Sequence, residues 1–227
     1  MMKNIVITLL LFGLSMIFYE MVVTYYYAVD GGVTFTHYVT KGVEELGAVN
    51  LVTSVIVGYR GFDTLGEVTV LFLTASVLSF FLKKNLEQNK NTPSEIISTA
   101  SKVMFPFIFI TGVHILINGH LTPGGGFQGG AIIASAFLFR LLADYYDRSG
   151  SFFSFIESFS GLTYVLAGVA GYVWAGGFLD VTLLGQGVAG ELLSAGLIPV
   201  ISVVIGIKVG AEISILLLRL KNNIPEN

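Results

Sequence analysis

Acidic, basic and histidine side chains inside long apolar runs are the residues of this sequence most suited to chemistry. Glu67, His114, Lys208 and Glu212 each occupy such a run. A charged side chain in a lipid bilayer is costly, so residues of this kind commonly line a path for ions or protons. Their alternative role is structural, in which they pair with a neighbouring helix and stay buried. Their depth and their neighbours decide between the two roles.

An acidic cluster surrounds Glu67. Arg60, Asp63 and Glu67 follow i, i+3, i+7 spacing, which places them on one helical face if a helix is continuous across Gly61. Two carboxylates one turn apart repel each other unless a cation, a proton or Arg60 compensates. Counted from the basic residues at the inner ends of their runs, Glu20 and Glu67 lie at similar depth, about 24–26 Å away. The cluster predicts an entry site for a cation or proton; the alternative is an interfacial group of carboxylates that fixes helix ends.

Two further sites are candidates for proton transfer. His114 lies about 18 Å along its helix from the preceding lysine, close to the bilayer midplane, and its imidazole titrates near neutral pH. The alternative is a neutral imidazole bonded to a neighbouring helix. Lys208 and Glu212 are spaced i, i+4, so we expect them to share a face and to pair. A central Lys208 predicts a proton relay, whereas a Lys208 near the inner surface would extend its ammonium to water.

Residues 119–130, GHLTPGGGFQGG, form the most distinctive segment and lie between two apolar runs. Thr122 and Pro123 suit the N-cap and the first position of a helix, but the glycines that follow oppose regular helix until about Phe127. Irregular backbone at membrane depth persists only where protein buries it or where it lines a wet cavity. The alternative is a tight turn whose glycines permit close packing. The residues given this motif and packing role are His120, Pro123, Gly124, Gly125, Gly126, Phe127, Gln128, Gly129 and Gly130.

The elements that carry these residues are predicted to be membrane-spanning helices. Of the 227 residues, 54% are hydrophobic and 12% are charged, and the mean hydropathy is +0.80. A soluble domain carries roughly 25% charged residues, and uncharged runs of about 18–20 residues match the hydrocarbon core of a bilayer. The sequence therefore predicts an all-α, polytopic membrane protein and excludes a soluble enzyme. About six transmembrane helices are expected, at residues 4–27, 64–82, 103–118, 127–143, 154–175 and 191–218.

Orientation and domain boundaries follow from the distribution of Lys and Arg. With the N-terminus inside, nine of the 12 basic residues are cytoplasmic, two are outside and one is undecided, in keeping with the positive-inside rule. Both termini of this multi-pass protein of the cell membrane are then cytoplasmic. Residues 48–60 become a short outer or re-entrant helix rather than a seventh span. A polar linker at 84–101 divides the chain into a two-helix segment, 1–83, and a four-helix domain, 102–221.

Composition also bears on cofactors, metals and other partners. The sequence has no cysteine, which removes iron–sulfur clusters and thiol nucleophiles, and no other cofactor is predicted. His114 and His120 fall on different helical faces, so no metal site is predicted. A net charge of −3 disfavours nucleic acid as a partner. No Ser/His/Asp or HExxH arrangement indicates a catalytic centre, so an intramembrane enzyme is not expected.

Two segments resemble known families. Residues 119–130 are similar to the GHxxPGGGFxGG signature of the MnhB/MrpB family, a component of the multisubunit Mrp-type sodium/proton antiporter, and this resemblance extends over roughly residues 100–218. Residues 59–67, YRGFDTLGE, resemble a segment in the C-terminal region of the large antiporter subunit and in the small E-type subunit of archaeal membrane-bound hydrogenases. The chain thus resembles an E-type segment fused to a B-type domain, as in the sulfane-sulfur-reducing relative of membrane-bound hydrogenase.

The resemblance implies an all-helical, ion-translocating subunit of a membrane arm related to respiratory complex I, with Glu67 on or near the sodium path. The implied partners are the lipid bilayer, Na⁺ and H⁺, other Mrp-type antiporter subunits, and hydrogenase-like membrane and peripheral subunits that would hold any redox centres. The implied host is a hydrogenase or a sulfane sulfur reductase complex. Three alternatives stay open: a subunit of a free-standing antiporter, a non-conducting structural spacer, and a self-contained secondary transporter.

Overall fold

The computed structural model describes residues 2–27, 32–82, 94–143 and 150–221. Regular structure in this part of the chain is helical, without strands, which confirms the all-α prediction. A π-helical segment, Ser54–Tyr59, follows the third helix, and a 3-10 turn, Val181–Leu184, precedes the last. The α-helices are α1 (Met2–Tyr27), α2 (Val33–Leu46), α3 (Leu51–Thr53), α4 (Gly61–Phe81), α5 (Glu95–Ile117), α6 (Gly126–Ala143), α7 (Gly150–Trp174) and α8 (Ile198–Lys221).

Six of the described helices are long and apolar enough to cross a membrane: α1, α4, α5, α6, α7 and α8. They correspond to the six predicted spans, so the chain is a multi-pass membrane protein. The third span begins at Glu95 instead of 103, because the Ser94 hydroxyl accepts a hydrogen bond from Ile97 N at 3.4 Å and caps the helix. Residues 95–101 of the predicted linker are therefore helical, and residues 84–93 lie outside the described residues.

The last span differs from its prediction at its N-terminal end. The predicted start is residue 191, but α8 begins at Ile198. Ala195 and Gly196 have φ angles of 66° and 51°, in the left-handed region, so the chain turns there and cannot be helical. Hydropathy alone does not detect such a turn, because the residues around it are as apolar as the helix that follows.

Two short elements precede α4. Helix α2 is not predicted from the sequence, because its threonines and charged residues interrupt the apolar pattern. The short helix expected at 48–60 is present as α3 and the π-helical segment. Its π character appears in the bond from Arg60 N to Val55 O, which spans five residues. Such π-helical turns are rare and occur frequently at functional sites.

The chain divides into two compact units, residues 1–41 and 42–227. The first contains α1 and most of α2, and the described side chains of α1 are almost all exposed. The second contains the remaining elements and the buried core. Within it, α8 packs against α4, α5, α6 and α7, and its buried side chains Ile201, Ile205 and Val209 belong to the core.

Glycines set the close approach of α6 and α8. A Cβ at Gly130 of α6 would lie 2.6 Å from Gly206 O and 3.1 Å from Gly210 N of α8. No side chain larger than hydrogen fits there without moving the helices apart. Gly206 and Gly210, spaced i, i+4, therefore form a small-residue packing face on α8.

Candidate functional site

The glycine-rich loop, residues 118–125, turns the chain from α5 into α6. Gly125 has a φ of 139°, a conformation that side chains with a Cβ rarely adopt. The predicted irregular backbone up to about Phe127 is confirmed, since α6 begins at Gly126. The expected N-cap at Thr122 is wrong: Thr122 Oγ1 donates to Asn118 O at 3.2 Å and so binds the end of α5.

Asn50 ties this loop to the segment that begins α3. Its side-chain Nδ2 donates to Gly119 O at 2.8 Å and to Thr122 O at 2.9 Å, while its backbone N donates to His120 O at 2.9 Å. Its Oδ1 accepts from Val52 N at 3.1 Å and caps α3. One side chain thus satisfies backbone groups on both segments. Asn50 is absent from the residues predicted above, although an Asn just before a short apolar helix is a recognisable N-cap signal.

A cavity of about 200 Å³ lies where the glycine-rich loop, the π-helical segment, α4 and α8 meet. Among the residues that line it are Thr53, Thr64, Glu67, Gln128 and Ser202, all with oxygen atoms in their side chains. Oxygen ligands are those that hard cations prefer. We call this space the loop cavity. It brings Glu67 of the YRGFDTLGE segment to the same space as the GGGF residues of the second motif.

Two hydroxyl groups that line the loop cavity donate their protons to backbone carbonyl oxygens. Thr53 Oγ1 donates to Gly119 O at 2.7 Å, and Thr64 Oγ1 donates to Ile56 O at 2.7 Å. Their oxygen lone pairs therefore remain able to accept a hydrogen bond or to coordinate a cation. Ser202 Oγ is buried and has no hydrogen-bond partner among the described residues. An unsatisfied buried hydroxyl is unfavourable unless a water or an ion contacts it.

The predicted cluster of charges near Glu67 is divided by the structure. Arg60 Nε contacts Asp63 Oδ2 at 2.6 Å, and both side chains are exposed. Glu67 is also exposed, makes no ion pair within the described ranges and lines the loop cavity, about 9 Å along α4 from Gly61. Arg60 therefore compensates Asp63 and leaves the Glu67 carboxylate to interact with other cations.

His120 is fully buried beside the loop cavity's glycine segment. It is 0% exposed, and neither ring nitrogen forms a hydrogen bond within the described part of the chain. Burial lowers the pKa of the imidazole below its ordinary value of 6.5, although the backbone at Glu191, Leu192 and Ile117 opposes this shift in part. His120 therefore packs as a neutral side chain, as its predicted packing role requires.

A second site lies between α7 and α8. Lys208 Nζ is 3.5 Å from Glu212 Oε2, so the predicted pair is confirmed, and it is also 3.6 Å from Glu157 Oε1. We call Glu157, Lys208 and Glu212 the ionic triad. The side chains are 13%, 8% and 2% exposed, respectively. Glu157 is not predicted from the sequence, because its partners lie some fifty residues away, on another helix.

The depth of Lys208 is set by its position in α8. It lies about 15 Å from Ile198 and about 20 Å from Lys221 along the helix, within a candidate span. Its Nζ is 5.2 Å from the centre of the Phe72 ring of α4, a cation–π distance. An ammonium held by two carboxylates and an aromatic ring in mid-helix does not extend to water, so the snorkelling alternative does not describe it.

The remaining predicted residues do not join either site. His114 is exposed on α5, and Asn118 Nδ2 lies 3.2 Å from its Nδ1. Glu20 is an exposed residue of α1 in the first compact unit, and its predicted proximity to Glu67 stays a prediction. Within the described residues, no group of three or more His, Asp or Glu side chains could hold a metal ion.

Comparisons with known proteins match both halves of the chain. A family described as a domain related to the MnhB subunit of Na⁺/H⁺ antiporters matches residues 96–215, and a family described as the E-type subunit of MBH matches residues 2–93. A chain of the membrane-bound sulfane sulfur reductase, an archaeal respiratory membrane complex, superposes with a TM-score of 0.79 at 39% identity, covering 97% of this chain and 98% of that one.

Two relatives extend the comparison in sequence. An uncharacterised protein of Methanocaldococcus jannaschii is 31% identical over 215 residues, covering 80% of this chain and 78% of the relative. The B-type subunit of the Na⁺/H⁺ antiporter of Bacillus subtilis is 32% identical over 97 residues, covering 41% of this chain and 68% of that protein. The similarity to the archaeal proteins therefore spans both halves of the chain.

Proposed function

Because the chain belongs to the family related to the MnhB subunit of Na⁺/H⁺ antiporters, we propose that it is an ion-translocating membrane subunit of a Mrp-type sodium/proton module. In this proposal the module works within an archaeal membrane-bound respiratory complex, as supported by the similarity to a chain of the sulfane sulfur reductase. The subunit moves ions and performs no redox step, which other subunits of the complex carry out.

The observation that carries the proposal is the loop cavity. It places the Glu67 carboxylate, three hydroxyl-bearing side chains and the glycine-rich backbone around one space of about 200 Å³. A partly dehydrated sodium ion requires a negative charge and several oxygen ligands at short range. Because Glu67 has no ion pair with another described residue, its charge is available to such an ion.

The proposed roles of the residues follow from this arrangement. Glu67 binds the ion, and the Arg60–Asp63 pair near the start of α4 sets the electrostatic potential at the approach. His114 and Glu20 do not line the loop cavity, and we assign them to contacts with other subunits. Gly124 of the loop allows close approach to Ile115 of α5, and Gly126 at the start of α6 allows close approach to Ile205 of α8.

The proposed placement in the cell is the cell membrane, with both termini cytoplasmic. The Lys and Arg distribution supports this orientation. The loop cavity then lies toward the outer surface, and the ionic triad lies deeper in the membrane. A cysteine introduced in the outer segment before α8, such as Val188→Cys at an exposed position, should react with a membrane-impermeant thiol reagent in whole cells.

Substitution of Glu67 tests the proposed ion path. In the purified complex reconstituted into vesicles, Glu67→Gln should assemble normally and lose sodium-dependent transport. Glu95→Gln is the matched control, because Glu95 lies in the exposed first turn of α5. If Glu67→Gln transported sodium at the control rate, the loop cavity would not be the path, and a structural spacer role would remain.

Purification in mild detergent tests the proposed host. Co-purification with peripheral subunits that bind nickel–iron or iron–sulfur centres would support a respiratory complex. Co-purification with antiporter subunits alone would contradict that host, and would fit the similarity to the B-type protein of the Bacillus antiporter.

A further inference from the structure

The ionic triad has an unequal number of charges. Two carboxylates, Glu157 and Glu212, lie within 3.6 Å of one ammonium, Lys208. With all three side chains ionised, the group carries a net charge of −1 within a candidate membrane span. An uncompensated charge in such a place is strongly unfavourable.

We infer that the triad is a proton-binding site, in which Glu157 and Glu212 share one exchangeable proton opposite the Lys208 ammonium. The shared proton brings the net charge of the group to zero. The proton belongs to the pair as a whole, because the two carboxylates contact the same ammonium. This inference rests on the proposed ion-translocating function, and it assigns a second site to the subunit.

The surroundings of Glu212 support a bound proton. Its side chain is 2% exposed, and both carboxylate oxygens lack a hydrogen-bond partner among the described residues. A buried carboxylate normally accepts several hydrogen bonds, so an ionised Glu212 would be under-solvated on all sides except toward Lys208. A protonated Glu212 carries no charge, so its burial without hydrogen-bond partners costs less than the burial of an ionised carboxylate.

The other ionisable side chains on the elements packed against α8 do not balance the charge of the triad. Three of these side chains contact groups outside the triad. Tyr59 Oη donates to Glu45 Oε2 at 2.5 Å, Tyr164 Oη donates to Gly61 O at 2.7 Å, and Asp63 pairs with Arg60. Arg219 and Lys221 lie in the last turn of α8, about 10 Å or more along the helix from Glu212. The full set on these elements is Tyr59 on the π-helical segment, Asp63 and Glu67 on α4, Glu95, Lys102 and His114 on α5, Arg140 on α6, and Tyr164 and Tyr172 on α7.

The unequal burial of the two carboxylates indicates which of them exchanges protons with the surroundings. Glu157 is 13% exposed and Glu212 is 2% exposed. Glu157 is therefore the member that exchanges protons with the surroundings, and Glu212 is the member that holds the proton inside. Gly161 adds room on the same side, because a Cβ there would lie 3.7 Å from Lys208 Cδ and 3.8 Å from its Nζ.

Infrared difference spectroscopy on the purified complex tests the inference. The wild-type complex should show a protonated-carboxyl band that responds to pH and shifts in deuterium oxide. Glu212→Gln should remove this band and assemble as well as wild type, because a glutamine has the shape and charge of the protonated acid. Glu157→Gln should also remove it, whereas the control Glu95→Gln should retain it.

Two outcomes overturn the inference. If the band persists unchanged in both Glu157→Gln and Glu212→Gln, the triad binds no proton. If Glu212→Gln prevents assembly, whereas Glu212→Asp assembles without any protonated-carboxyl band, the triad is a fully ionised structural pair. Both results are independent of Glu67, so they separate a failure of this inference from a failure of the sodium path at the loop cavity.

Discussion

The loop cavity and the ionic triad handle charge in opposite ways. In the loop cavity, one carboxylate, Glu67, has no ionic partner among the described residues and shares its space with hydroxyl and amide side chains. In the ionic triad, each charge has a partner within 3.6 Å, and the side chains are nearly inaccessible. The first arrangement suits an ion that enters and leaves; the second suits a proton that moves among fixed groups.

The loop cavity and the ionic triad also differ in how the backbone around them is held in place. Around the loop cavity, irregular backbone is fixed by specific hydrogen bonds, above all those of Asn50. Around the triad, two regular helices hold the charged side chains, and helix packing sets their distances. We therefore expect substitutions in the triad to affect assembly through charge balance, and substitutions near the loop cavity to act through backbone position.

The largest effect is expected for removal of the central cation. Lys208→Met leaves two buried carboxylates without an ammonium, and breaking a buried ion pair in this way costs about 3–5 kcal/mol. The yield of assembled complex should fall sharply in size-exclusion chromatography. A triple variant that also carries Glu157→Gln and Glu212→Gln has no charge in the group and should recover most of the yield. Equal losses in the single and triple variants would contradict the charge-balance account.

A smaller loss is expected when the loop is released from α3. Asn50→Ala removes the hydrogen bonds to Gly119 O and Thr122 O, and a typical hydrogen bond contributes about 0.5–1.5 kcal/mol to stability. The melting temperature of the complex should fall, and sodium-dependent transport should fall with it. Asn50→Asp keeps the cap of α3 but loses the Nδ2 donor, so it should reproduce most of the loss. If the transport rate did not change, the position of the loop would have no role in ion binding.

A matched pair of glycine substitutions tests the packing beneath the loop cavity. A Cβ at Gly126 would lie 2.7 Å from Ile205 Cβ and from Ser202 O, whereas a Cβ at Gly66 would meet nothing within 4 Å. Gly126→Ala should destabilise the complex by about 1–3 kcal/mol through overpacking. Gly66→Ala should be neutral or stabilising by up to about 1 kcal/mol, since alanine favours helix. Thermal denaturation compares the two, and similar losses would contradict the packing described here.

The smallest effect concerns pH. Because burial lowers the pKa of His120 below 6.5, the unfolded chain binds a proton more readily than the folded one. The stabilising contribution of the neutral imidazole is thus complete above pH 6.5 and declines as the pH falls toward the folded pKa, by at most about 1.4 kcal/mol per pH unit. Melting temperatures of wild type and His120→Gln should converge as the pH is lowered; a constant difference would show that the pKa of His120 is the same in the folded and the unfolded chain.

Much of the fold could be predicted from the sequence. The six apolar runs and the Lys208–Glu212 pair depend on local periodicity, which a single sequence displays. The start of α8 could not be predicted, because left-handed turns at Ala195 and Gly196 interrupt an apolar segment without changing its hydropathy. Helix α2 could not be predicted either, because its polar and charged residues interrupt the apolar pattern by which the other helices are recognised.

The candidate site was less predictable, because it depends on contacts between distant residues. Glu67 and residues 119–130 were recognised separately, but the cavity that joins them requires the tertiary fold. Asn50 and Glu157 also act through partners about 50 to 70 residues away, and no local pattern marks these long-range contacts. Conversely, His114 was suggested by its depth in a run, and its exposure followed from the face of α5 on which it lies.

The sodium dependence of the assembled complex tests the central claim most directly. We predict that Glu67→Asp, which withdraws the carboxylate by one methylene, raises the sodium concentration for half-maximal transport and leaves the maximal rate largely intact. Glu95→Asp should change neither quantity. An unaltered sodium dependence in Glu67→Asp, measured in the same vesicles, would contradict the assignment of the loop cavity as the place where this protein binds its ion.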